Sequence, residues 1–284
     1  MADSAVKHNK SMTAPPLDLS AVHGARVAAA VLVCGSAVLL FALENRPWGY
    51  AALGAGIVLA SFVDRVLARH LGLIALGQVI ISTIPLKADL SNPGISRFAV
   101  ALGLAVCVPY AISRWVLRDH VIRFTMRGGW PWTRVQWGYI AVVVVAAYLI
   151  LPYYFIGSGV YRNWPDVTGP DQITRLFLGV NAVGIWDEIF FIATVFVLLL
   201  RHFPVWLANL LQATVFVSFL WELGYREWGP ALTVPFALIQ GWIFSWARSL
   251  PYVITVHLLF DAVVFGVLVH AHNPAVFDIF VTAP

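Results

Sequence analysis

The chain has 284 residues, 60% of them hydrophobic and 11% charged, with a mean hydropathy of +0.82. That composition excludes an ordinary soluble domain and leaves room for about eight or nine membrane crossings of roughly 20 residues each. A net charge of +4 does not indicate nucleic-acid binding here, because the basic residues are spread among short loops, where membrane topology accounts for them.

Residues 1–24, with Lys7, Lys10, Pro15 and Pro16, are polar and expected to be disordered. Apolar runs bounded by charge, Pro or Gly follow at 26–43, 48–63, 71–86, 98–117, 135–155, 176–200, 206–224, 231–247 and 251–272. The reading is all-α and polytopic, with eight or nine transmembrane helices; the third run ends at Pro85 and is short enough to be re-entrant. The expected organisation is a group of N-terminal helices over 25–175, a C-terminal helical module over 176–272 and a tail over 273–284. Cys34 and Cys107 both fall inside apolar runs and read as small buried thiols. No internal repeat argues for an inverted-repeat transporter.

Placing successive loops on alternate sides gives one side twelve of the 18 basic residues and the other six: Arg46, Lys87, Arg97, Arg162, Arg175 and Arg226. The richer side is expected to be cytoplasmic, with the N-terminus inside and the C-terminus outside. Its longest loop, Arg114 to Arg134, carries Trp130 and Trp132 and suits a segment lying against anionic headgroups. The longest loop on the opposite side, 156–175, leads into the sixth run and is a candidate lid or substrate-access element.

Of the 14 acidic residues, four fall within or at the edge of apolar runs: Asp187, Glu188, Glu222 and Asp261. An ionised carboxylate at the centre of a membrane helix costs about 2.5–3.5 kcal/mol, so such residues face protein, water or each other and mark function. Asp187 and Glu188 are adjacent near the middle of the sixth run, with Asn181 seven residues before Glu188 on nearly the same face. His257 and Asp261 lie four residues apart in the ninth run and share a face. A carboxylate pair facing a His–carboxylate pair supplies a base for water and donors for an oxyanion, and equally the parts of a proton or cation relay. The alternatives are an interhelical hydrogen bond for His257 and a solvated helix end for Glu222, which Arg226 and Glu227 follow. His270 and His272, at the end of the last run, read as surface residues.

The stretch from Val180 to Phe265 resembles the CPBP family of CAAX prenyl proteases and bacterial Abi proteins. The family's E-E-x-x-x-R is matched in part by Asp187-Glu188, with Ile192 at the Arg position; its F-x-x-x-H is matched by Phe216, with Leu220 at the His position. Gly241, the Arg248-Ser249 turn and the pair His257 and Asp261 follow in the family's order. The resemblance implies an intramembrane endopeptidase acting on a membrane-associated protein or peptide in a bacterial plasma membrane. It implies Asp187 or Glu188 as the water-activating group and His257 and Asp261 as oxyanion donors; Glu222, two residues past the missing His, is a substitute base only with a rotated or unwound helix there. No cofactor is called for; the resemblance leaves a divalent metal open beside a metal-free, glutamate-dependent site. With Leu220 and Ile192 at the departing positions, a catalytically impaired protease fits as well, and two other readings stand: a family member that binds a membrane partner without catalysis, and a proton- or cation-coupled carrier.

Overall fold

The computed structural model describes residues 19–284 except 125 and 127–130, with side chains from His23 onward. The expected disorder of 1–24, and Arg127 and Trp130 of the basic loop, therefore fall wholly or mainly outside the described residues. Those residues form an all-helical bundle without strands. Nine helical rods occur: α1 (Leu19–Ala37, continued by a π turn Val38–Ala42), α2 (Arg46–Val63), α3 (Arg65–Ile81), α4 (Asn92–Ala111, continued by Ile112–Leu117) and α5 (Arg134–Pro152, continued by Tyr153–Gly157). The sixth rod is α6 (Pro170–Asp187), a π segment (Glu188–Phe196) and a last turn, α7 (Val197–Leu199); then come α8 (Val205–Leu223), α9 (Pro230–Ala247) and α10 (Leu250–His272).

Six of these rods are long and apolar enough to cross a membrane, by length and composition. The other three are α2 and α9, each of 18 residues, and α3, of 17 residues. Exposed Val142, Val145 and Leu149 on α5, and exposed Trp48, Trp115, Trp206 and Trp246 near helix ends, suit a lipid-facing bundle with aromatic residues at its interfaces.

Several helices start earlier than the apolar runs suggest, because caps rather than hydropathy fix them. α3 begins at Arg65 instead of 71, where the Asp64 carboxylate accepts from Val66 N and Leu67 N, and it ends at Ile81 rather than 86. α4 begins at Asn92 behind Ser91, whose hydroxyl accepts from Gly94 N. α6 begins at Pro170, and the Gln172 side chain reaches back to accept from Gly169 N and Thr168 N.

Three surface readings change. Cys34 is buried, but Cys107 points outward from α4. His270 is buried because residues 273–284 fold back over it: its Nδ1 lies 3.1 Å from Val276 O, and Phe280 packs on both His270 and Tyr148. His272 is part-buried, 3.4 Å from Asp166.

The helix ends sort into two layers. Arg26 pairs with Asp64 at 3.1 Å and reaches His202, while His70 meets Asp119, so the ends of α1, α2, α4 and α7 gather at one pole. At the other, Arg226 lies 3.9 Å from Glu44, Arg175 donates to Leu90 O, and Asn163 donates to Gly224 O.

Candidate active site

Asp187 lies 17 residues into a sixth rod of 30 residues, about 26 Å along a length of about 45 Å and so close to its middle. Here α6 gives way to nine residues of π-helix, in which Thr194 Oγ1 donates to Ile189 O five residues back. Such widened turns re-aim side chains and recur at functional sites. Trp186 pins the rod to α4 through Nε1, which donates to Leu102 O at 2.7 Å.

Asp187, Glu188, His257 and Asp261 converge on this point, exposed by only 1%, 0%, 4% and 4%. His257 Nδ1 and Glu188 Oε1 share a hydrogen bond of 2.8 Å. On the other side of the ring, Nε2 stands 3.8 Å from Asp187 Oδ2 and 3.7 Å from Asp261 Oδ2, outside hydrogen-bonding distance of either. Phe236 meets the imidazole edge-on at 5.0 Å and Phe216 lies 6.1 Å from it, so the ring has aromatic, apolar neighbours.

Gln240 of α9 completes the cluster, and the sequence reading passed it over. Its Nε2 donates to Glu188 Oε1 at 2.8 Å and to Val253 O at 3.2 Å. Because both partners are acceptors, the amide orientation is fixed. The signal was present: Gln240 immediately precedes Gly241 and is the one amide side chain in the apolar run 231–247. Two glycines make the close approach feasible. A methyl at Gly184 would overlap Asp261 Oδ2, and one at Gly241 would overlap Asn209 Oδ1, whose amide is tied to Gln212 and Leu238 O.

A cavity of about 350 Å³ opens onto the cluster. Asp187, His257 and Asp261 line it and Glu188 does not, so the two adjacent acids occupy different environments. Its walls are mostly apolar, from Phe98 and Leu102 of α4, Leu176 and Val180 of α6, and Leu220 and Leu223 of α8. Trp164, from the loop proposed as a lid, and Tyr225 also line it, their rings 5.6 Å apart.

The remaining candidates stand apart from the cluster. Glu222 is held by Arg226 at 2.6 Å and is not among the cavity-lining residues, so it does not replace the missing His in position. Leu220, the position of that His in the family, does face the cavity. Ile192, at the family's Arg position, is fully buried. Asn181 turns back to donate to Phe177 O of its own helix.

The donors do not fit a divalent metal. Among the described residues no three His, Cys, Asp or Glu side chains are arranged to hold one, and the nearest pair, Glu188 and His257, is spent on its own hydrogen bond. Asp187 Oδ1 and Glu188 Oε2 are buried without a hydrogen-bond partner among the protein's described groups.

Comparison with curated proteins and with solved structures gave no match. Residues 169–263 match the model of the family described as type II CAAX prenyl endopeptidase Rce1-like. The match spans α6 to α10 as far as Val263, and so takes in all five residues of the buried cluster. The C-terminal third of this polytopic helical membrane protein is thus similar to the type II CAAX prenyl endopeptidase Rce1-like family.

Proposed function

We propose that the chain is an intramembrane endopeptidase that hydrolyses a membrane-associated protein or peptide at the Asp187–His257–Asp261 face of the cavity. The observation that carries this reading is the contrast between the two sides of His257. Nδ1 is anchored to Glu188, while Nε2 is free of hydrogen bonds on the cavity wall.

In this reading Asp187, the acid that lines the cavity, takes a proton from water, and the resulting hydroxide attacks the scissile carbonyl. The imidazole of His257 carries both protons: Nδ1–H stays on Glu188, and Nε2–H donates to the oxyanion of the tetrahedral intermediate. Asp261 adds a second donor in its protonated form. Collapse of the intermediate breaks the C–N bond, and Asp187 returns its proton to the leaving amine. Glu188 and Gln240 act behind the ring, as orienting groups do in other sites where a third residue fixes an imidazole. The apolar walls exclude bulk water and accept a lipid-borne chain.

The test is reconstitution with membrane-anchored peptides and mass spectrometry of the products. Wild type cleaves, and His257→Ala loses at least about 10²-fold in rate, the usual cost of removing one oxyanion donor. Equal cleavage by wild type and His257→Ala would overturn the assignment.

Leu220 on the cavity wall favours a second reading, in which the segment binds a membrane partner without cleaving it. Under that reading wild type is inactive on every peptide, and Leu220→His, which restores the family's residue at a cavity-facing position, creates the activity.

A further inference from the structure

At the pole remote from this cavity's mouth, a second recess of about 330 Å³ lies among the start of α3, the end of α4 and the turn after α7. Val66, Arg69, His70, Leu117, Asp119, Val121, Arg201 and His202 line it. Its charges are unevenly satisfied. Asp119 is engaged by Ser113 Oγ at 2.5 Å, by Val121 N at 3.2 Å and by His70 Nε2 at 3.1 Å. His70 Nδ1 and His202 Nε2 share a 2.7 Å hydrogen bond, and His202 Nδ1 lies 3.4 Å from Arg26, itself paired with Asp64.

The two arginines of the recess, Arg69 and Arg201, have no carboxylate partner among the described residues. Arg65 and Arg118 on the same pole also lack a carboxylate partner among those residues but do not line the recess, while Arg114 meets His120 Nδ1 and Arg123 donates to His120 O. Two unpaired guanidiniums beside one spent carboxylate leave a recess that calls for an anion. A guanidinium fork matches a phosphate's paired oxygens better than it matches a compact halide. The rim is apolar, with Val66 half-exposed and Leu117 beside it, and the recess lies at the end of the bundle where headgroups meet helix termini.

We propose that this recess binds the phosphate of an anionic membrane lipid, with Arg69 and Arg201 on the phosphate oxygens and the acyl chains running down past Val66 and Leu117. The bound lipid would bridge α3 of the N-terminal helices to the end of the rod that carries Asp187 and Glu188.

Native mass spectrometry of protein released from bilayers of equal parts phosphatidylglycerol and phosphatidylcholine tests the proposal. Wild type is expected to retain one phosphatidylglycerol in preference to phosphatidylcholine. Arg69→Gln and Arg201→Gln should each weaken retention about tenfold or more, as expected for a lost charge-assisted contact. Arg65→Gln, on the same pole but outside the recess, should retain it like wild type. Equal retention of the two lipids by wild type would overturn the proposal, and this holds even if a variant fails to fold. So would loss of the bound lipid on adding millimolar inorganic phosphate, which would assign the recess to a free anion.

Discussion

Asp187 and Glu188 are neighbours in the chain and both are buried, yet only Asp187 lines the cavity. Their substitutions should therefore differ in kind. Asp187→Asn removes the group proposed to accept the water proton, and kcat should fall about 10²–10⁴-fold with little change in KM. Gln240→Leu leaves every cavity-lining group in place but takes one of two donors from Glu188 Oε1. It should lower kcat less and shift the pH–rate profile, because His257 would then lean on an altered carboxylate; Gln240→Met with an unshifted profile would show that the side chain only fills space. Gly184→Ala places a methyl on Asp261 Oδ2 and should displace that carboxyl, reducing cleavage while the protein still inserts and folds.

At the scale of elements, the apolar runs located all nine rods and the charge pattern located the cluster, since both follow from the cost of polar groups in lipid. Helix starts were not legible from hydropathy, because Asp64, Ser91 and Gln172 act through hydrogen bonds to the first turn. The π segment at Glu188 was equally hidden: nothing in EIFFIATVF distinguishes it from an ordinary α-turn, and its geometry depends on what packs around it. Glu222 looked like a candidate base from its position, but the Arg226 side chain one turn on claims it. The turn after α7 carries its own prediction. Burial, then the neighbouring His70, pushes the His202 imidazole down from 6.5 to about 4. Its folded pKa lies below its unfolded one, so the unfolded chain binds more protons between those values and stability rises with pH across that window. Thermal unfolding from pH 7 to 4 should show a loss on the order of 1–3 kcal/mol as pH falls, which His202→Gln should reduce. An unchanged pH dependence in that variant would refute the assignment.

Across the whole molecule, the contacts between helix ends separate two poles, one holding Arg26, Arg69, Arg114 and Arg201 and the other Arg46, Arg175 and Arg226. We take the first pole as cytoplasmic on its excess of basic residues. With Cys34 and Cys107 replaced, an impermeant maleimide should label Thr168→Cys from outside and Arg123→Cys only after permeabilisation; labelling of both from one side would refute the alternation. The helices before α6 then serve as a frame: Trp186 on Leu102 O and Arg175 on Asn92 hold the sixth rod against α4 and keep the apolar cavity between them. The most direct test of the chemistry assigned to that cavity is hydrolysis of a membrane-anchored peptide in ¹⁸O-water, read by mass spectrometry of the new carboxyl terminus. Wild type should release a product carrying one solvent oxygen, and Asp187→Asn should release almost none. Equal yields of labelled product from the two proteins would contradict the account.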